Sequence, residues 1–330
     1  MGRRLRAAGA ALELWWLAPR PLHAMVGARI VFGSTLLLAY ALRIPAYQDL
    51  YGPRGIGGPE LVARVPDLPP FHPSILPALD LLRQIPSEGA ITALYLLMLV
   101  ALAAFMLGFR TRIAGVLSVV LHLLFWVRNP IAYVSWAGFV TAPLLWVVLS
   151  PSGSHLSIDA WLRRRRGLAA ASWYASGWPL RLLQLHVCAM YAVAGWSRLD
   201  KPSWLNGDTV LIAMTSANFS RVAIDWSAFA PVLALATWAA VVLEGFAPLL
   251  LWVPRVRKLW AWGLVAMHAS LAVVIHEEIW SWSAVMIGGL LAFLFSDAAP
   301  ASSANLVEPH HVLRERAAVQ QPEAGDPVET

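Results

Sequence analysis

The chain has 330 residues, of which 58% are hydrophobic and 13% charged, and a mean hydropathy of +0.61. A water-facing globule of that size needs more polar residues than this, so the composition excludes an ordinary soluble domain and places the chain in a bilayer. The formal charge of +6 does not point to nucleic acid, because the arginines come in short clusters between apolar runs, as topology signals do. One cysteine, Cys188, excludes an intrachain disulfide, a CxxC redox pair and a Cys-rich zinc site.

The opening "MGRRLRAAGAALELWWLAPRPLHAM" joins a basic start to a short apolar patch broken by Glu13. It is expected to lie along the membrane interface with Trp15 and Trp16 at headgroup level, in preference to acting as a signal peptide. Apolar runs follow at roughly 24–43, 89–108, 113–127, 131–150, 179–197, 229–252, 259–275 and 279–295. Crossing a bilayer takes about 20 apolar residues. The runs therefore predict an all-α fold, a polytopic integral membrane bundle of about eight transmembrane helices.

Between those runs Arg3, Arg4, Arg6, Arg20, Arg110, Arg112, Arg163 to Arg166, Arg255, Arg257 and Lys258 all fall on one side, which the positive-inside rule makes the cytoplasm, with both termini there. The opposite side holds the Pro- and Gly-rich loop from Ile44 to Glu88, expected to form a compact cap, and the stretch from Arg198 to Ser227 along the outer interface. The expected division is an interfacial segment at 1–22, a transmembrane domain at 23–298 and a disordered cytosolic tail at 299–330. No internal repeat of fixed period is visible, which counts against an inverted-repeat transporter.

Ionisable groups inside a span cost about 2.5 to 3.5 kcal/mol on insertion scales, so each needs a partner or a wet cavity. Five stand out: Arg29, His122, His186, Glu244 and His268. Counted along their spans, Arg29 and Glu244 reach similar depth, and pairing would remove two lone charges together. Such an ion pair either fixes helix packing or serves a function. The three histidines come without HExxH, cysteine or paired aspartate, so no metal site is predicted. There is no Gly-rich phosphate loop and no serine nucleophile elbow. Tryptophans near span ends fit an aromatic belt, and those on the outer side could instead line a site for a flat or lipidic ligand.

The stretch "YAVAGWSRLDKPSWLNGD", Tyr191 to Asp208, resembles the fifth-span signature of the HTTM family, bacterial relatives of vitamin K-dependent gamma-carboxylase. Other pieces occur in the family's order: "GARIVFGSTLLL", "YGPRGI", "RNP" at Arg128 to Pro130, "SPSGSHLSIDAWLRRRR", "TWAAVVLEGFAPLLLW" and "AMHASLAVVI". The resemblance covers roughly residues 20 to 297 and implies a bacterial inner-membrane protein.

In the gamma-carboxylase branch a lysine acts as catalytic base where this chain has Arg198, and a histidine comes after the Asn of the third-to-fourth turn where this chain has "NPIAY". A guanidinium keeps its proton, so Arg198 cannot inherit the base role, and glutamate gamma-carboxylation is not expected. Arg198 with Asp200 can still bind an anion or orient a lipid headgroup or quinone, or serve only as an interfacial anchor. The sequence thus supports an outward-facing pocket for a quinone or lipid-like molecule, with Arg198, Asp200, Trp204, His122, His186 and His268 as candidate binding residues and a quinone as candidate cofactor. The alternative is a non-catalytic anchor or assembly partner for an exported or membrane protein. The expected partners are the lipid bilayer, a quinone or lipid, and such a protein; nucleic acid is not among them.

Overall fold

The computed structural model describes residues 2–53, 55, 80–85, 87–129, 136–217, 219–222, 224–275 and 278–297. Among them the fold is all-α apart from one short ribbon. In chain order the helices are α1 (Gly2–Leu17), α2 (His23–Ala41), α3 (Tyr47–Tyr51), α4 (Glu88–Leu107), α5 (Thr111–Arg128), α6 (Trp136–Leu149), α7 (Ile158–Arg165), α8 (Trp178–Trp196), α9 (Pro202–Leu205), α10 (Thr209–Thr215), α11 (Ala230–Leu250), α12 (Arg257–Val274) and α13 (Glu278–Leu294). The strands β1 (Pro19–Pro21) and β2 (Tyr174–Ser176) pair antiparallel, Arg20 opposite Ala175.

Among the described residues four helical stretches are long and apolar enough to cross a membrane: α2, α4, α5 and Trp226–Leu250, which contains α11; Phe139–Leu149 and Ile279–Leu294 are shorter apolar helices. The chain is an integral membrane protein. α8 and α12 have 19 and 18 residues but interrupt their apolar faces with Arg181, Gln184 and His186, and with His268.

α2 packs on α4, α6 and α13; α4 on α5, α5 on α6, and α6 on α8; α13 fills the space between α2, α8 and α12. The core runs through this group, with Phe32, Tyr40, Tyr95, Phe105, Phe125, Tyr191 and Phe293 fully buried. α11 is peripheral: it packs on α8 and α12, and its buried residues are Thr237, Glu244 and Ala247.

Helix ends explain the turns on the basic side. α4 stops at Gly108, which takes the left-handed conformation at φ 69° and closes the last carbonyls. α5 begins after Arg110, and its first amides are capped from a distance: the Asp159 carboxylate accepts from the Arg110 and Thr111 amides at 2.8 Å each and from the Thr111 hydroxyl at 2.6 Å. Ser157 caps α7 by accepting from the Ala160 amide and donates to the Gly153 carbonyl. Thus "SPSGSHLSIDAW" is a connector whose Ser157 and Asp159 side chains terminate helices.

On the opposite side Arg128 bonds Asp80 at 3.0 Å and the Gly52 carbonyl at 2.7 Å, while Asn129 donates to the Leu50 carbonyl. This ties the ends of the expected cap to α5. Most of that cap (56–79), Pro130 and the expected tail at 299–330 lie outside the described residues.

Candidate functional site

Tyr191 and Gly195 lie four residues apart at the end of α8, on one face, and Arg198 follows three residues on in the turn after the helix, its amide donating to the Gly195 carbonyl. Gly195 has no side chain because none would fit: a Cβ there would sit 2.5 Å from the Gly245 amide nitrogen. A small residue at a helix crossing lets the backbones approach closely, and Gly195 lies directly on the Glu244–Gly245 backbone of α11. Here the crossing sets Glu244 of α11 against Arg198.

Arg198 Nη1 and Glu244 Oε2 form a salt bridge, with the glutamate side chain 6% exposed and the arginine 18%. The guanidinium also lies over Trp204, 4.0 Å from the ring centre. One carboxylate and one indole therefore fix the fork.

The second half of the site comes from α12. Ala261, Leu264 and His268 form its buried stripe, and His268 Nε2 is 3.0 Å from the Tyr191 hydroxyl. The other ring nitrogen, His268 Nδ1, is buried with no hydrogen-bond partner. Tyr191 lies within electrostatic reach of Glu244, and His268 within reach of Arg198, so the four make one cluster.

Pro248 provides no amide for the carbonyl four residues earlier, which weakens α11 beside Glu244. Two indoles brace that region: Trp260 donates to the Leu243 carbonyl at 2.9 Å and Trp196 to the Gly245 carbonyl at 3.2 Å. The glutamate is thus held on a helix whose backbone is buttressed from both neighbours.

Chemically, Arg198 can present its remaining N–H groups to an oxygen anion or carbonyl but cannot release a proton. The Tyr191–His268 pair can pass one, because each member both donates and accepts. Among the described residues no group of three His, Cys, Asp or Glu side chains could hold a metal ion.

The other expected site residues lie elsewhere. His122 bonds the Tyr40 hydroxyl at 2.9 Å, in a separate aromatic cluster with Tyr95 and Phe125. His186 contacts the Phe139 carbonyl at 3.2 Å, on the side of α8 that faces α6. Asp200 is exposed and has no ion-pair or hydrogen-bond partner among the described residues, so it does not orient Arg198. Glu244 does that instead.

The expected Arg29–Glu244 pair does not form. Arg29 donates to the Leu156 carbonyl at 2.5 Å and packs against Gly108, on the basic side, while Glu244 belongs to Arg198. Equal count along the two helices does not give equal depth, because the C-terminal third of α11 meets the last turn of α8 at Gly245, while its N-terminal half is covered by α9 and α10 through Val210 to Thr237 and Trp238 to Leu205 contacts. Tyr191 is a site residue that the sequence reading does not single out. Its signal was the spacing to Gly195 and Arg198.

The HTTM domain model matches residues 74–297 of the chain, a stretch containing every member of this cluster. No curated protein and no solved structure matches it.

Proposed function

The chain belongs to the HTTM family, and from that premise we propose that it binds the polar head of a quinone or lipid-like molecule at an outward-facing site formed by Arg198, Trp204, Tyr191 and His268. The observation that carries this reading is the Arg198 fork, pinned by Glu244 and covered by Trp204, beside a buried Tyr–His pair with one ring nitrogen still free. Fixed donors next to a group able to take a proton suit a carbonyl or anionic oxygen at the end of an apolar molecule. Cytoplasmic termini and a bacterial inner membrane belong to the same proposal, as does the division into 1–22, 23–298 and 299–330. Glutamate gamma-carboxylation does not, because Arg198 stands where a lysine base is required.

A second reading, a non-catalytic anchor or assembly partner for another protein, is favoured by the tight Gly195–Gly245 contact, which leaves little room between α8 and α11. Mass spectrometry of small molecules extracted from the purified chain separates the two. Wild-type protein should carry a defined quinone or lipid, Arg198→Lys should retain less of it, and Arg198→Ala should lose it while remaining folded. A folded Arg198→Ala protein with an unchanged complement of small molecules refutes the binding site.

A further inference from the structure

At the other end of α8 from Arg198, a different set of arginines converges from three distant parts of the chain. Arg20 comes from β1, Arg181 from the first turn of α8 and Arg257 from the start of α12. Arg20 packs against Gly177 at the start of α8, one turn before Arg181, and the charges of Arg20, Arg181 and Arg257 act on one another. A topology signal needs only a count of basic residues in a loop; it does not need them gathered. Gathering them half-buried is unfavourable unless an anion sits among them.

The described protein supplies little negative charge there. Arg181 is 8% exposed, and its bonds go to neutral acceptors, the Trp15 carbonyl at 3.2 Å and Gln184 Oε1 at 2.9 Å. Arg257 and Lys258 share the exposed carboxylate of Asp297. Arg20 has no carboxylate partner among the described residues, and the Nε atoms of Arg20 and Arg257 are buried without a hydrogen-bond acceptor. Two indoles flank the group: Arg181 stacks on Trp15 at 4.5 Å and lies 5.8 Å from Trp252.

We propose that Arg20, Arg181 and Arg257 form a binding site for the phosphate of an anionic phospholipid on the basic side of the membrane. Guanidinium forks match phosphate oxygens two at a time, and a basic pocket between helix ends, edged by tryptophan at headgroup level, is where a lipid phosphate lies. The acyl chains would run along the exposed apolar faces of α1 and α12, which offer Leu12, Leu17, Leu259 and Trp262.

The test uses the full chain, delipidated in a neutral detergent and titrated with phosphatidylglycerol, phosphatidylcholine or inorganic phosphate, with thermal unfolding as the readout. Phosphatidylglycerol should raise the midpoint at concentrations where the other two do not. Arg20→Gln should weaken its apparent affinity about tenfold, the worth of one charge-assisted hydrogen bond. Without lipid the same variant should be at least as stable as wild type, since a like-charge contact has gone.

Arg257→Gln provides a second variant should Arg20→Gln disturb the ribbon. Arg163→Gln, the same charge change on the same side but outside the cluster, should leave the affinity within about twofold. Equal stabilisation by phosphatidylcholine or inorganic phosphate would overturn the proposal, as would equal losses from Arg163→Gln and Arg20→Gln.

Discussion

Replacing Arg198 by alanine should destabilise the protein mainly through the charge it strands. The Glu244 side chain is 6% exposed, so its carboxylate would remain buried beside an empty position. Breaking a buried ion pair from one side costs about 3 to 5 kcal/mol. Arg198 is 18% exposed, so some water can enter, and the lower end, about 3 kcal/mol, is the expected loss. Glu244→Gln should cost less, about 1 to 2 kcal/mol, because a long guanidinium near a helix end can turn toward the headgroups while a short buried carboxylate cannot. With Arg198→Ala and Glu244→Gln combined, no charge is stranded, and much of the loss should return. Unfolding in mixed micelles, followed by tryptophan fluorescence with Trp204 as a near reporter, gives the four corners of the cycle. The coupling should be at least about 1.5 kcal/mol, whereas independent sites add to within about 0.5 kcal/mol. Additivity at that level would refute the pairing. The same cycle on Arg29 and Glu244 should be additive, since Arg29 answers to the Leu156 carbonyl.

Gly195→Ala should force α8 and α11 apart, because the new methyl would lie 2.5 Å from the Gly245 nitrogen; an overpacking loss of about 1 to 3 kcal/mol is expected, with the Arg198–Glu244 coupling reduced, and an unchanged coupling would show that the crossing does not position the pair. Asp159 caps α5 on the basic side. Burial alone would raise its carboxyl, but hydrogen bonds from the Thr111 hydroxyl and from the Thr111 and Arg110 amides outweigh it and hold the group below the usual carboxylate range. A depressed folded value means the stabilisation is complete above the ordinary carboxylate range and is lost as pH falls through the folded value. Asp159→Ala should therefore cost about 1 kcal/mol at neutral pH, the usual worth of a cap, and the gap to wild type should close as pH is lowered below about 4. A gap independent of pH would mean that the carboxylate charge is not what caps the helix.

The sequence by itself determined the helical class, the membrane setting and the gathering of basic residues between apolar runs, because hydropathy and charge are local properties that need no partner. It also marked Arg198, since two tryptophans and a helix end bracket it in an otherwise apolar stretch, and the ordered motifs carried the family resemblance that the HTTM match over 74–297 supports. Partner choice was decided elsewhere. Pairing Glu244 with Arg29 assumes that every span begins at the same plane, but the relative height of two helices is set by how their surfaces interlock, and the Gly195–Gly245 contact sets the C-terminal third of α11 against the C-terminal end of α8. No window of either helix contains that contact. The same holds for the histidines, equivalent in sequence as lone polar residues in apolar runs. Only the rotation of each helix against its neighbours sends His268 to Tyr191, His122 to Tyr40 and His186 to a carbonyl of α6.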